Sequence, residues 1–209
     1  MTIMNLILRI GFLRSPHRTD RVRSALPALA LAGGLCAGLL FGLSGCGDGA
    51  EETGATFSLS GDETAFIDTL QAHTFRYFWE LCNPQTGLAP DRAPTPSFAS
   101  IGATGFALTS YPIGVERGYI SREDAVERVL LTLRFLRDAP QNADPSGAAG
   151  FHGFYYHFVV PETGARFGTV ELSTVDTALL LAGALFCQSY FDGGTAGEDS
   201  IRAIAEELY

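Results

Sequence analysis

The chain has 209 residues, 46% of them hydrophobic, enough for a core of its own, and its 23 acidic residues outnumber 14 basic ones for a net charge of −9. Every one of the fourteen bases is arginine, and lysine is absent. So acidic a chain repels phosphate backbones, which excludes nucleic acid as the expected partner and leaves neutral ligands such as sugars open.

Five arginines, Arg9, Arg14, Arg18, Arg21 and Arg23, precede ALPALALAGGLCAGLLFGLSGC, an apolar run without charge. A run of about 20 residues can span a bilayer, so a permanent transmembrane helix is one reading. Its end favours another. Leu43-Ser44-Gly45-Cys46 matches the bacterial lipobox, in which small residues admit a signal peptidase and the cysteine thiol is then acylated. Residues 1–45 are therefore expected to be a lipoprotein signal peptide and Cys46 the lipidation site, with the membrane as partner and the bacterial periplasm as location. Residues 46–61, CGDGAEETGATFSLSG, carry too little apolar surface to offset the entropy of ordering and read as a flexible tether. Without the leader, 22 acids face 9 arginines, a net charge near −13.

Ser60-Gly61-Asp62-Glu63 has capping-box spacing, and Phe66, Leu70, Tyr77 and Leu81 then recur at helical period, which predicts a first helix to about Cys82. Asn83-Pro84-Gln85-Thr86-Gly87 breaks it, and the proline-rich LAPDRAPTPS forbids a second helix before Ser97. The following FASIGATGFALTSYPIGVERG is apolar on most sides. Its Gly102, Gly105 and Gly114, each costly in a helix by roughly 1 kcal/mol, suggest close helix packing, and Pro112 is expected to kink it. Ser121-Arg122-Glu123-Asp124 caps a third helix with Val126, Val129, Leu130, Leu133 and Leu136 inward, ended by Ala139-Pro140. GFHGFYYHFVVPETGARFG alternates as a short β-hairpin turning at Pro161–Gly164. Ser173 caps a fourth helix from Thr174 to about Phe191, and a fifth starts at Glu198. Cys82 and Cys187 sit late in helices among apolar residues and read as buried thiols, with a disulfide left open in an oxidising compartment.

Paired helices with long decorated loops argue for an all-α (α/α) toroid or superhelix rather than a finished bundle, and the absence of a 33 to 40-residue repeat argues against an ordinary solenoid. A closed double ring of helices needs about twice this length or more, so residues 62–209 are expected to be part of a larger domain.

FIDTLQAHTFRYFWELCNPQTGLAPDR, PTPSFASIGATGFALTSYPIGVERGYISREDAVERVLLTLRFL, GFYYHF and ELSTVDTALLLAGALF together resemble the bacterial glucoamylase-like (glycoamylase) lipoprotein family, over residues 66–209. The resemblance implies an (α/α)6 barrel, of which this would be the N-terminal part with a small β-hairpin insertion. It also implies kinship with the endo-β-1,2-glucanases of glycoside hydrolase family 144 and with the glucan-processing domain of cyclic β-1,2-glucan synthases. In that glucanase branch the stretch before the fourth helix carries several acids, in a pattern like D-N-G-G-D-L-V-E-T. Asp176 matches the last of them, whereas Ser173 stands where the branch has an acid.

Glycoside cleavage needs a proton for the leaving oxygen and a carboxylate that activates water or attacks directly, the two acids flanking one bond. The expected activity is hydrolysis of a β-glucan, β-1,2-linked first, with inversion. Glu171 and Asp176 are its candidate catalytic carboxylates, Glu171 replacing from the loop the acid missing at Ser173, with at least one partner acid expected beyond this segment. Asp176 has a structural alternative, since an acid in a first helical turn is stabilised by the macrodipole by roughly 0.3–1 kcal/mol. Asp91 and Arg92 could hold sugar hydroxyls or brace their own loop; Tyr155, Tyr156 and His157 offer rings to a pyranose, although alternation turns half of them inward; Ser173 completes the candidate binding set. Trp79 reads as core and His73 as a structural histidine. HxxEH and CxxC spacings, paired histidines, phosphate loops and GxSxG are absent, so neither a metal nor a cofactor is expected. A non-catalytic glycan-binding lipoprotein and a glucan-remodelling transferase or phosphorylase remain open alternatives.

Overall fold

The computed structural model describes residues 58–209. The expected signal peptide, the lipidation site Cys46 and the tether up to residue 57 lie outside the described residues.

Five helices carry the fold: α1 Gly61–Leu81, α2 Ile101–Glu116, α3 Arg122–Asp138, α4 Thr174–Tyr190 and α5 Ala196–Leu208. Each begins at a hydroxyl cap. Ser60, Ser100, Ser121, Ser173 and Thr195 each accept a backbone N–H of their helix's first turn, and Ser60 and Ser121 form full capping boxes with Glu63 and Asp124. The fifth helix starts two residues before the expected Glu198, because the acid marks the capped first turn rather than its beginning.

Helices two apart in the chain are neighbours, α2 against α4 and α3 against α5, which sorts them into two layers. Arg128 of α3 joins α1 to the second layer, lying over the Trp79 ring at 4.5 Å and donating to the Trp79 carbonyl at 3.2 Å. Inner α2 and α4 and outer α1, α3 and α5 form part of the (α/α)6 barrel that the resemblance implies, with only small strands added.

The inner pair meets almost backbone to backbone. A Cβ on Gly105 would strike the Leu179 carbonyl and the Leu180 Cα, and one on Gly183 would strike the Gly105 carbonyl. Helix α2 runs on through Pro112. A proline inside a helix leaves the carbonyl four residues earlier without its partner. Here that carbonyl belongs to Leu108, and the buried Cys187 thiol of α4 donates to it at 3.1 Å. Cys82 is likewise buried and free, facing the Tyr111 hydroxyl at 3.6 Å.

The periodic residues that mark α1 do not form its buried face: Phe66, Leu70 and Leu81 are exposed, at 67%, 55% and 46%, whereas Phe75 is buried with Phe78 and Trp79 packed beside it. Helix α1 is apolar on two faces about half a turn apart, and α2 takes the Phe75 face. The expected hairpin is divided. β2 Gly150–Phe151 pairs with β3 Phe154–Tyr155 around a turn with left-handed φ at His152 (51°) and Gly153 (84°), whereas β4 Phe158–Val159 pairs with β1 Ala99–Ser100, in the loop after α1. The Pro161–Gly164 turn does form, with Gly164 N–H on the Val160 carbonyl at 2.8 Å, but a single bridge, Val159 to Arg166, follows it.

Candidate active site

The inner helices α2 and α4 both start at one end of the molecule, and the segment 155–157 ties their starts together. His157 N–H donates to the Glu171 carbonyl at 3.0 Å, and Ser173 N–H donates to the Tyr155 carbonyl at 2.9 Å. On its other edge the His157 carbonyl accepts Ile101 N–H, at the first residue of α2, at 3.2 Å. Neither loop alone holds His157; the two helix starts do.

The imidazole lies between the two candidate carboxylates. Its Nδ1 is 2.9 Å from Glu171 Oε1, a hydrogen bond, and its Nε2 is 3.7 Å from Asp176 Oδ2, an ion-pair distance only. An ionised carboxylate can only accept, so the ring proton sits on Nδ1 and a neutral ring turns its lone pair toward Asp176. The ring thus bridges the two acids.

Their surroundings differ. Glu171 is 68% exposed along its side chain; its own backbone N–H first, and His157 second, hold its carboxyl below the usual range. Asp176 is 15% exposed and sits in the first turn of α4, where the helix dipole favours an anion. The Ser173 hydroxyl donates to Asp176 Oδ2 at 2.5 Å while accepting the Asp176 N–H at 3.1 Å. Ser173 is thus both the helix cap and the hydrogen-bond donor that orients the acid, and the capping reading of Asp176 describes a real contact without exhausting its carboxylate. The other oxygen, Oδ1, faces Gly102 of α2.

The two tyrosines do not offer faces as expected. Tyr155 and Tyr156 are 3% and 8% exposed, both rings buried in the core. The Tyr155 hydroxyl donates to the Leu136 carbonyl at 3.0 Å, and Arg166 covers the Tyr156 ring at 4.6 Å. Asp91 and Arg92 pair with each other through Arg92 Nε at 3.0 Å, and the guanidinium lies 5.4 Å from the Phe98 ring. That pairing is the loop-bracing arrangement, placed beside the aromatic residues next to His157. The phenylalanines escaped sequence reading: Phe158 stacks on His157 with centroids 3.8 Å apart, Phe98 lies 4.1 Å from Phe158, and Phe167 lies 4.8 Å from Phe98. A cleft of about 320 Å³ between the ends of α3 and α5, lined by Arg137, His152 and Glu207 among others, does not include His157. Among the described residues no group of three or more His, Cys, Asp or Glu side chains is arranged to hold a metal ion.

No family model matches the chain. A search of curated proteins finds an exo β-1,2-glucooligosaccharide sophorohydrolase (non-reducing end) of Parabacteroides distasonis, 30% identical over 175 residues, covering 81% of this chain and 23% of that protein. Among solved structures, a β-1,2-glucanase of Parabacteroides distasonis matches 73% of this chain and 21% of its own at 30% identity and a TM-score of 0.62. The chain is a homologue of β-1,2-glucan hydrolases. A glucoamylase-like protein of Bacteroides uniformis matches at 34% identity and a TM-score of 0.61 over 73% of this chain and 36% of its own. An endo-β-1,2-glucanase of Chitinophaga pinensis, solved with sophorotriose and glucose, matches at 29% identity and a TM-score of 0.59, over 72% of this chain and 36% of its own. The chain therefore spans between 21% and 36% of the length of these homologues.

Proposed function

We propose that the protein is a glycoside hydrolase of the bacterial periplasm, held to the membrane through a lipid on Cys46, and that it cleaves β-1,2-linked glucan with inversion. The observation that carries the reading is the junction at His157, where Glu171 and Asp176 meet at the start of an inner helix in a homologue of β-1,2-glucan hydrolases.

The two carboxylates divide the work according to their surroundings. Asp176, partly shielded and oriented by Ser173, is the water-activating base: it takes a proton from the water whose oxygen attacks the anomeric carbon. The bond from that carbon to the leaving oxygen breaks, and an acid outside the residues described here gives that oxygen its proton. Glu171, exposed and held in its ionised form, is a poor proton donor near neutrality and serves instead to accept hydrogen bonds from sugar hydroxyls.

The test is full-length protein with linear β-1,2-glucan, the products followed by proton NMR from the first minutes. The reading expects α-configured reducing ends to appear first. β-Configured ends would overturn inversion, cleavage of a different β-glucan alone would overturn the linkage, and absence of hydrolysis would overturn the enzyme.

A further inference from the structure

The rings beside His157 form a continuous row. Phe158 covers one face of the imidazole, at an interplanar angle of 23°, while the ring's nitrogens point to Glu171 and Asp176. The row continues through Phe98 to Phe167, and Arg92 lies over Phe98 in its middle. Phe167 is 43% exposed. Single exposed phenylalanines are ordinary, but an exposed ring contiguous with two more and with a cluster of carboxylates is a patch that asks for a ligand.

The exposure is not the result of a loose loop. Phe167 N–H donates to the Phe158 carbonyl at 3.0 Å, and Arg166 Nε donates to the Val170 carbonyl at 2.6 Å. Gly168, at φ 58°, supplies the left-handed turn that an L side chain resists. The backbone on both sides is fastened while the ring is displayed.

We propose that Phe98, Phe158 and Phe167 form a stacking platform for glucosyl units of the substrate remote from the bond being cleaved. This rests on the reading of the His157 junction as a glucan hydrolase site. A pyranose presents an apolar face of C–H bonds, which suits an aromatic surface, and its rim of hydroxyls suits the Arg92 and Asp91 side chains at the platform's edge. The occupant is an uncharged glucan chain, because the platform runs directly into the ring that joins the two carboxylates. Substrates too short to reach Phe167 gain nothing from it, so the platform sets a preference for longer chains.

The experiment measures KM for β-1,2-glucooligosaccharides of increasing length with full-length wild type, Phe167→Ala, Phe167→Leu and Phe167→Trp. The proposal expects KM for long chains to rise about tenfold in the alanine and leucine variants and far less for the shortest substrate cleaved, with tryptophan restoring the wild-type length dependence. Leucine separates stacking from packing, since it keeps apolar volume without a ring. Equal effects at all lengths, recovery with leucine, or an unchanged length dependence in the alanine variant would overturn the platform and leave the hydrolase reading intact. A wild type that cleaves no β-1,2-glucan would overturn both.

Discussion

Gly102 of α2 and Asp176 of α4 approach so closely that a Cβ on the glycine would lie 2.5 Å from Asp176 Oδ1. The inner-helix contact thus fixes not only the fold but the position of one carboxylate. Gly102→Ala is expected to push that carboxylate aside and lower kcat/KM by tenfold or more, on the order of what misplacement of a catalytic group costs. Stability should change little, because alanine gains roughly 1 kcal/mol in helix propensity and the group displaced is a short side chain. Parallel thermal melts and rate measurements check it; a loss of activity that merely tracks a loss of folded protein would refute the positioning role.

Gly105→Ala and Gly183→Ala should behave differently, since there the added methyl meets backbone rather than a side chain. Overpacking of this kind costs about 1–3 kcal/mol, from which the helix-propensity gain subtracts only part. Urea unfolding midpoints should fall for both variants, and unchanged midpoints would mean that α2 and α4 separate easily.

Glu198 is only 3% exposed, and its charge is balanced by Arg122 Nε at 2.7 Å and the Thr195 hydroxyl at 3.1 Å. Burial pushes its carboxyl upward, but Arg122 and Thr195 together hold it below the usual value. A depressed folded-state value adds stability that is fully present above the unfolded value, about pH 4.3, and is lost as the pH falls through the folded one. Glu198→Gln should therefore cost about 1–3 kcal/mol at pH 7, toward the lower end because Arg122 remains 40% exposed, and progressively less in acid. Denaturant unfolding at pH 7 and pH 3 measures this; a difference that is constant with pH would contradict it.

Much of this arrangement was legible in the sequence. Hydroxyl caps and helical periods read from the sequence place α1, α3 and α4, and the glycines of α2 announce a close neighbour, whereas the caps Ser100 and Thr195 of α2 and α5 were not read. The choice of face on α1 was not legible, because both of its apolar stripes satisfy the period and only the partner decides. Nor were the strand pairings: Ala99 and Val159 meet across 60 residues, and two-residue strands carry no pattern of their own. At the site, Glu171 and Asp176 stood out because acids before and inside a first turn are chemically conspicuous. The role of His157 did not, since it depends on backbone bonds to two separate helix starts. The phenylalanines were hidden for a simpler reason: an apolar ring in an alternating segment reads as core until its exposure is known.

The most direct measurement is the initial rate of full-length protein on linear β-1,2-glucan for wild type, Asp176→Asn and Glu171→Gln. Asparagine keeps the shape of Asp176 and its contact with Ser173 but cannot take a proton, so kcat is expected to fall by about 10²–10⁴-fold. Glu171→Gln is expected chiefly to raise KM. Wild-type kcat in Asp176→Asn would contradict the account, because the carboxylate beside His157 would then be no more than a helix cap.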